Sequence, residues 1–224
     1  MAMVGTLRLR GAIIALVVAV VVWPLIHNWR SDQFLPVDPS HNVILVTGSN
    51  KGIGKAAALA LAAQGFTVVC GMRQLDYLTN VHKAAMAQGV DPDRLLGVQL
   101  DITQPTHIAA TVDQVTTLLK ERKSPGLYGL FNNAGMYVFD EQGNSVEEYP
   151  MEKFRAVMEV NYFGTLQVTQ AFLPLLRQGK GRILMNTSIA GILAGPYSSA
   201  YSSSKYATEA MSDALRREVQ SLGV

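Results

Sequence analysis

The sequence predicts an α/β fold built on a doubly wound parallel sheet, and three observations carry that expectation. Short runs of Val, Ile and Leu are nearly continuous in apolar character, as in strands buried on both faces. These runs alternate with helical stretches, the order that makes βαβ units. The first run leads into a glycine-rich turn that opens directly onto a helix. With 224 residues, 49% of them hydrophobic and 16% charged, the chain is long enough for one domain of ordinary size with a sizeable core.

The elements follow in order from about His41. Val43 to Thr47 is a continuous apolar strand, and Gly52 to Gln64 is an alanine-rich helix that ends at Gly65. Phe66 to Cys70 is the second strand, followed by a helical stretch from about Leu75 to Gln88. Leu95 to Leu100 is the third strand, Thr106 to Arg122 the next helix, and Leu127 to Asn132 the fourth strand. Met151 to Arg177 is a long helical stretch with Pro174 near its end, and its methionines Met151 and Met158 are expected to pack in the core. Arg182 to Asn186 is the fifth strand, and a last helix covers Ala200 to Leu222, capped and begun by Ser198, Ser199, Ser202, Ser203 and Ser204.

Residues 1–30 read as a membrane anchor. Between Arg10 and Arg30 lie nineteen residues without a formal charge, opening with an unbroken apolar run from Gly11 to Val22. At about 1.5 Å per residue such a helix nearly matches a hydrocarbon core of roughly 30 Å. Trp23 and Trp29 suit an interface, whereas Pro24, His27 and Asn28 weaken the last turns and leave a cleaved signal peptide as an alternative, with Arg8 and Arg10 as its basic start. No small-x-small cleavage site follows the run, so the expectation is an uncleaved single-pass anchor. Residues 31–41, with Pro36, Asp38, Pro39 and Ser40, lack periodicity and read as a tether to a domain spanning residues 42–224.

Composition excludes several classes. The formal charge is +2, and beyond residue 40 there are 16 basic and 15 acidic residues, so no nucleic-acid surface is advertised. The lone Cys70 rules out an intrachain disulfide or a Cys-x-x-Cys redox pair and reads as a small buried hydrophobe. His27, His41, His82 and His107 have no ligand spacing, so no metal site is expected.

The turn Thr47-Gly48-Ser49-Asn50-Lys51-Gly52-Ile53-Gly54 brings backbone N–H groups and the positive end of a helix against an anion. Its glycines sit where a side chain would block the approach of a pyrophosphate. At the end of the second strand stands Gly71-Met72-Arg73, where an NAD enzyme places a carboxylate on the adenosine ribose. Arg73 can instead meet a 2′-phosphate with its planar fork, and Lys51 can supply a second cation, so NADP(H) is favoured over NAD(H).

Taken in order, these segments resemble the short-chain dehydrogenase/reductase family, with its Rossmann-like fold, from Asn42 to Val224. Thr47-Gly48-x-x-x-Gly52-x-Gly54 looks like the family's cofactor turn. Asp101 and Ile102 after the third strand look like its adenine contact, and Asn132-Asn133-Ala134-Gly135 like its fourth-strand signature. Asn161 matches the family's catalytic asparagine, and Ser188 its serine, thirteen residues before Tyr201. Tyr201-Ser202-Ser203-Ser204-Lys205 matches the Tyr-x-x-x-Lys pair. The anchor, together with the sequence from Ser204 to Glu218, is similar to the branch of membrane-associated retinol and hydroxysteroid dehydrogenases. That resemblance implies a lipophilic substrate, residence in the endoplasmic reticulum or another endomembrane, and compatibility with a homodimer. It also calls for two further parallel strands and a substrate lid after Val224, so the chain is expected to be incomplete at its C-terminal end as an enzyme.

The chemistry reads from the residues as well. Tyr201 and Lys205, four apart on one helix, share a face, and a neighbouring ammonium stabilises a phenolate, as general acid–base catalysis requires. Tyr201 would protonate the substrate oxygen in reduction or take its proton in oxidation, and Ser188 would polarise the same oxygen. The resemblance adds hydrogen bonds from Lys205 to the nicotinamide ribose and a relay water held by Asn161. The expected function is interconversion of an alcohol and a carbonyl on a lipophilic substrate. A non-catalytic dinucleotide-binding sensor or scaffold is the alternative, although such a protein would need only the glycine turn and a pocket.

Overall fold

The computed structural model describes residues 38–137 and 145–224. The expected anchor lies outside the described residues, and among them no helix is long and apolar enough to cross a membrane. The chain divides into two units, Met1–Asp38 and Pro39–Val224. The second unit opens with a 3-10 turn over Pro39–His41, which the sequence reading had assigned to the tether.

Among the described residues five parallel strands form the sheet: β1 (Val43–Thr47), β2 (Thr67–Met72), β3 (Leu95–Gln99), β4 (Gly129–Asn132) and β5 (Arg182–Met185). Their spatial order is β3-β2-β1-β4-β5, so the chain winds outward from β1 in one direction and returns through β4 and β5 in the other. Val43 pairs with Thr67 on one side of β1 and Ile44 with Gly129 on the other. The crevice where the winding reverses lies at the carboxyl ends of β1 and β4, where open α/β sheets bind ligands.

The helices are α1 (Gly52–Ala63), α2 (Tyr77–Ala87), α3 (Pro105–Glu121), α4 (Met151–Met158), α5 (Thr165–Gly179) and α6 (Ser199–Val219). Alternation along β1 explains the continuous apolar strands. Val43 and Leu45 join one buried cluster with Ile108, Val115 and Leu119 of α3 and Val168, Phe172 and Leu176 of α5. Ile44 and Val46 join the other, with Ala58, Leu59 and Ala62 of α1 and Val81 and Ala85 of α2. Successive side chains point to opposite faces, and each face carries a helical layer, so both faces call for apolar residues except at strand ends, where Thr47, Thr67 and Asn132 are buried. Phe172 is fully buried, a side chain whose removal from water is worth about 1.5–3 kcal/mol. Cys70 sits in the second cluster; burial pushes its thiol up to about 12, against an opposing hydrogen bond with Ser49, which makes it an inert hydrophobe.

Three features differ from the sequence expectation. The stretch expected as one long helix from Met151 is interrupted: α4 and α5 are joined by a π-helical turn, Glu159–Gly164, that contains Asn161. Composition gives no warning of it, because a single π turn inserts one extra residue without a helix breaker. Pro174 is carried inside α5, which runs on to Gly179 and ends on Lys180 in the left-handed region. Met151 is exposed rather than core. β5 is an edge strand whose Leu184 is 59% exposed.

Candidate active site

The glycine turn is locked onto the fourth strand. Thr47 is 2% exposed, and its hydroxyl oxygen accepts from the backbone N–H groups of Asn133 and Ala134, each at 2.9 Å. Asn133 returns the contact, donating from its amide nitrogen to the carbonyls of Thr47 at 2.9 Å and Gly48 at 3.2 Å. Gly48 has φ +67°, and a Cβ there would stand 2.9 Å from the Ala134 Cα, so the conformation and the close approach both demand glycine. Ser49 is wholly buried, with its backbone N–H and its hydroxyl both directed at the Gly71 carbonyl; it ties the turn to β2.

Gly54 is buried against the Gly48 carbonyl and the Asn133 amide, whereas the other turn residues face outward. Lys51, Gly52 and Ile53 are exposed and Asn50 is half-buried. Gly52 has φ +56°, and a Cβ there would meet nothing within 4 Å. Lys51 places no side-chain cap on α1, so the first-turn N–H groups are left uncapped. Those features fit a dinucleotide pyrophosphate: uncapped donors, a helix N-terminus and room above them.

Around the adenosine end, Arg73 follows β2 directly and is exposed. Asp101 accepts from the Thr103 backbone N–H at 3.0 Å and its hydroxyl at 2.7 Å. Burial alone would raise the Asp101 carboxyl, but the two Thr103 bonds and the Arg73 and His107 charges outweigh it and hold the group below its ordinary value. Arg73 therefore lies within the field of Asp101. Ile102 is 5% exposed and packs as core beneath Gly164 of the π turn. Ala134 and Gly135 line the crevice between the turn and the π helix, with the position of a Gly135 Cβ only 3.2 Å from the Asn161 Oδ1.

The π turn presents Asn161, 2% exposed, to two elements at once. Its Oδ1 accepts from the Met136 N–H at 2.8 Å, and its Nδ2 donates to the Met136 carbonyl at 2.9 Å and to the Ser204 hydroxyl at 3.0 Å. Both amide protons are thus committed to protein, and a relay water would meet an oxygen of this residue rather than its N–H groups. Ser204 passes its own proton to the Tyr201 carbonyl at 2.7 Å.

Tyr201 and Lys205 lie on the first turns of α6 as the spacing requires, with the Lys205 Nζ 5.6 Å from the centre of the Tyr201 ring. Lys205 is 6% exposed and donates one of its three protons to the Asn186 carbonyl at 2.9 Å. Burial lowers the Lys205 ammonium from its ordinary value, partly opposed by Glu209. Ser188 precedes a 3-10 turn, Ile189–Gly191, and its hydroxyl accepts from the Ala190 N–H at 3.1 Å, which leaves its proton to donate elsewhere. Gly191 brings that turn against α6 at the Lys205 carbonyl. Ser198 precedes α6 without capping it; its hydroxyl pairs with Ser202 at 2.9 Å and donates to Gly195 at 2.8 Å.

Sequence reasoning missed Asn186 and Met136. The Asn186 Nδ2 donates to the Asn133 Oδ1 at 3.0 Å, so one chain of hydrogen bonds runs from Thr47 through Asn133 and Asn186 to Lys205 across the tips of β1, β4 and β5. Asn186 ends the predicted fifth strand, and that position was the available signal. Met136 contributes only its backbone, which side-chain identity does not reveal.

A helix-start anion cradle at the reversal point of a parallel sheet, joined by hydrogen bonds to the buried Lys205 beside a half-buried Tyr201, is the arrangement of a dinucleotide-binding fold. A family profile described as short chain dehydrogenase matches residues 42–224, and the chain belongs to that family. It is 37% identical over 195 residues to the mitochondrial D-beta-hydroxybutyrate dehydrogenase of Rattus norvegicus, covering 83% of this chain and 52% of that protein. It is 35% identical over 201 residues to the Estradiol 17-beta-dehydrogenase 2 of Mus musculus, covering 89% of this chain and 50% of that protein. The chain therefore spans about half the length of these curated relatives. An alcohol dehydrogenase from Thermococcus sibiricus complexed with 5-hydroxy-NADP superposes with a TM-score of 0.68 at 29% identity, over 79% of this chain and 71% of its own. NAD+-bound xylitol dehydrogenase gives 0.71 at 28% identity, over 83% and 68%. The fold thus takes either nicotinamide dinucleotide among its solved neighbours.

Proposed function

We propose that the protein interconverts an alcohol and a carbonyl on a lipophilic substrate with NADP(H). The observation that carries this reading is the Tyr201–Lys205 pair, whose Lys205 ends the hydrogen-bond chain that begins at the cofactor turn and stands 5.6 Å from the Tyr201 ring centre. A bound nicotinamide supplies or accepts the hydride; every other part of the reaction falls to the chain. Uncapped N–H groups of α1 hold the pyrophosphate, and Lys205 has two protons beyond its bond to Asn186 for ribose hydroxyls. Tyr201 delivers its proton to the substrate oxygen in reduction and recovers it in oxidation, while the Ser188 hydroxyl donates to the same oxygen. The buried ammonium beside the ring stabilises the phenolate that proton transfer leaves.

Arg73 after β2, with Lys51 in the turn, supports the 2′-phosphate over the bare ribose. A lipophilic substrate is supported by the rim that follows Ser188, where Ile189 is 74%, Ile192 69% and Leu193 70% exposed. The name of the estradiol dehydrogenase relative points the same way. The nineteen uncharged residues between Arg10 and Arg30 support attachment to an endomembrane, where such substrates partition. NADPH consumption by the full chain, followed at 340 nm with retinoid, steroid, ketoacyl and small aldehyde substrates, tests the reading. Oxidation with an apolar carbonyl and a lower KM for NADPH than for NADH is expected; NADPH binding with no consumption on any substrate would leave a dinucleotide-binding sensor or scaffold instead.

A further inference from the structure

The loop after β4 carries an aromatic contact that neither the cofactor turn nor the Tyr-x-x-x-Lys pair requires. Tyr137 meets the Tyr201 ring at 4.9 Å between centroids and an interplanar angle of 87°, the edge-to-face geometry that aromatic quadrupoles favour. Its position is not left to a free loop. Met136, the residue before it, is held at both its N–H and its carbonyl by the Asn161 amide. The same amide reaches the backbone of Tyr201 through Ser204, whose hydroxyl donates to the Tyr201 carbonyl. One buried asparagine in the π turn thus sets the backbone of α6 under Tyr201 and the backbone from which Tyr137 rises against the ring.

Tyr201 is half-buried and lines a shallow depression with Tyr137, Tyr149 and Tyr197. A phenol on a surface of that kind has other staggered side-chain positions open to it, and only one places its hydroxyl beside a substrate oxygen. The Lys205 ammonium near the ring does not by itself choose among them, since an attraction to a ring is broad in angle. An edge-to-face partner is narrower. From the worth of such pairs, the contact favours the held position by about two- to twelvefold.

We propose that Tyr137 is a positioning residue for Tyr201, its ring fixing the direction in which the phenol presents its proton. This rests on the reading of Tyr201 as the proton-transfer residue. The contact requires a ring and no hydroxyl, so Tyr137→Phe preserves it and Tyr137→Leu, close in size and apolar, removes it.

Steady-state kinetics and 19F NMR of the full chain carrying 3-fluorotyrosine test the proposal, with the Tyr201 resonance assigned by its loss in Tyr201→Phe. In Tyr137→Leu, kcat is expected to fall about two- to twelvefold with KM changed less than twofold, and the Tyr201 resonance to shift. Tyr137→Phe should restore both to wild type. A KM rise at constant kcat would make Tyr137 a substrate wall and overturn the proposal. A Tyr201 resonance unmoved by Tyr137→Leu overturns it even in a chain without turnover, as does a Tyr137→Phe variant as impaired as Tyr137→Leu. Failure of the underlying reading looks different: Tyr201→Phe would then retain turnover, whatever Tyr137 does.

Discussion

Replacing Thr47 with Val removes a hydroxyl and keeps the volume of the side chain, so its cost isolates the lock between the cofactor turn and β4. The hydroxyl is the acceptor for two backbone N–H groups, those of Asn133 and Ala134, both at 2.9 Å. Its own proton points at the Phe131 carbonyl over a weaker 3.4 Å. Each strong bond is worth about 1 kcal/mol net, rising to about 2 where the donor is left without a partner, so Thr47→Val should cost about 2–4 kcal/mol. Thr47→Ser keeps the acceptor and deletes one buried methyl, about 1 kcal/mol. Urea unfolding of the purified chain separates the two. With a slope of about 2 kcal/mol/M, the Val variant should unfold about 1–2 M earlier than wild type and the Ser variant about 0.5 M earlier. A Val variant as stable as the Ser variant would refute the lock, since shape rather than hydrogen bonding would then hold the turn.

Arg73→Asp should weaken NADPH and shift preference toward NADH, because it places a like charge where the 2′-phosphate is expected; titration of both cofactors checks it, and an unchanged preference would return Arg73 to the solvated surface. The Asp101 carboxyl should then titrate higher, having lost one of the charges that hold it down, which 13C NMR of the carboxyl can follow. Lys205→Met should abolish turnover and weaken NADPH binding, yet change stability with a definite pH dependence. Burial lowers the native ammonium, so between that lowered value and the ordinary 10.5 the unfolded chain binds more protons and wild-type stability rises with pH. The penalty is fully present below that window, and urea unfolding at pH 7 and pH 10 should show wild type gaining on the Met variant as pH rises. For residues 1–30, the chain should stay with membranes through an alkaline wash and leave them only in detergent; recovery of the intact chain in the wash would refute an anchor.

Much of this architecture is legible in the residues because burial on two faces forces apolar continuity. Val43–Thr47 matches its expected bounds, and the helices over Gly52–Ala63 and Pro105–Glu121 fall within a residue of theirs. The second strand runs to Met72, two residues beyond the apolar run, because the pairing of Met72 with Gln99 continues past it. What the residues hide is backbone work. The π turn at Glu159–Gly164 has no compositional mark, and the clamp of Asn161 on Met136 engages a main chain that any residue supplies. Individual predicted site residues occupy different roles in space: Ser49 and Ile102 are buried scaffold, whereas Lys51, Gly52 and Arg73 are open to solvent. A motif gives the spacing of a site, and only packing separates the groups that touch a ligand from those that hold the others in place.

The central claim is that Tyr201 moves the proton while the rest of the site binds the cofactor. Tyr201→Phe removes one oxygen from a ring held by Tyr137 and flanked by Lys205, and it leaves the turn, Arg73 and the Lys205–Asn186 bond untouched. Fluorescence titration of NADPH and substrate-dependent oxidation, measured on the same full-chain preparation, should show cofactor affinity within about twofold of wild type and turnover reduced by at least the 10²–10⁴-fold typical of a lost general acid. Turnover near that of wild type at neutral pH, with NADPH still bound, would contradict the account.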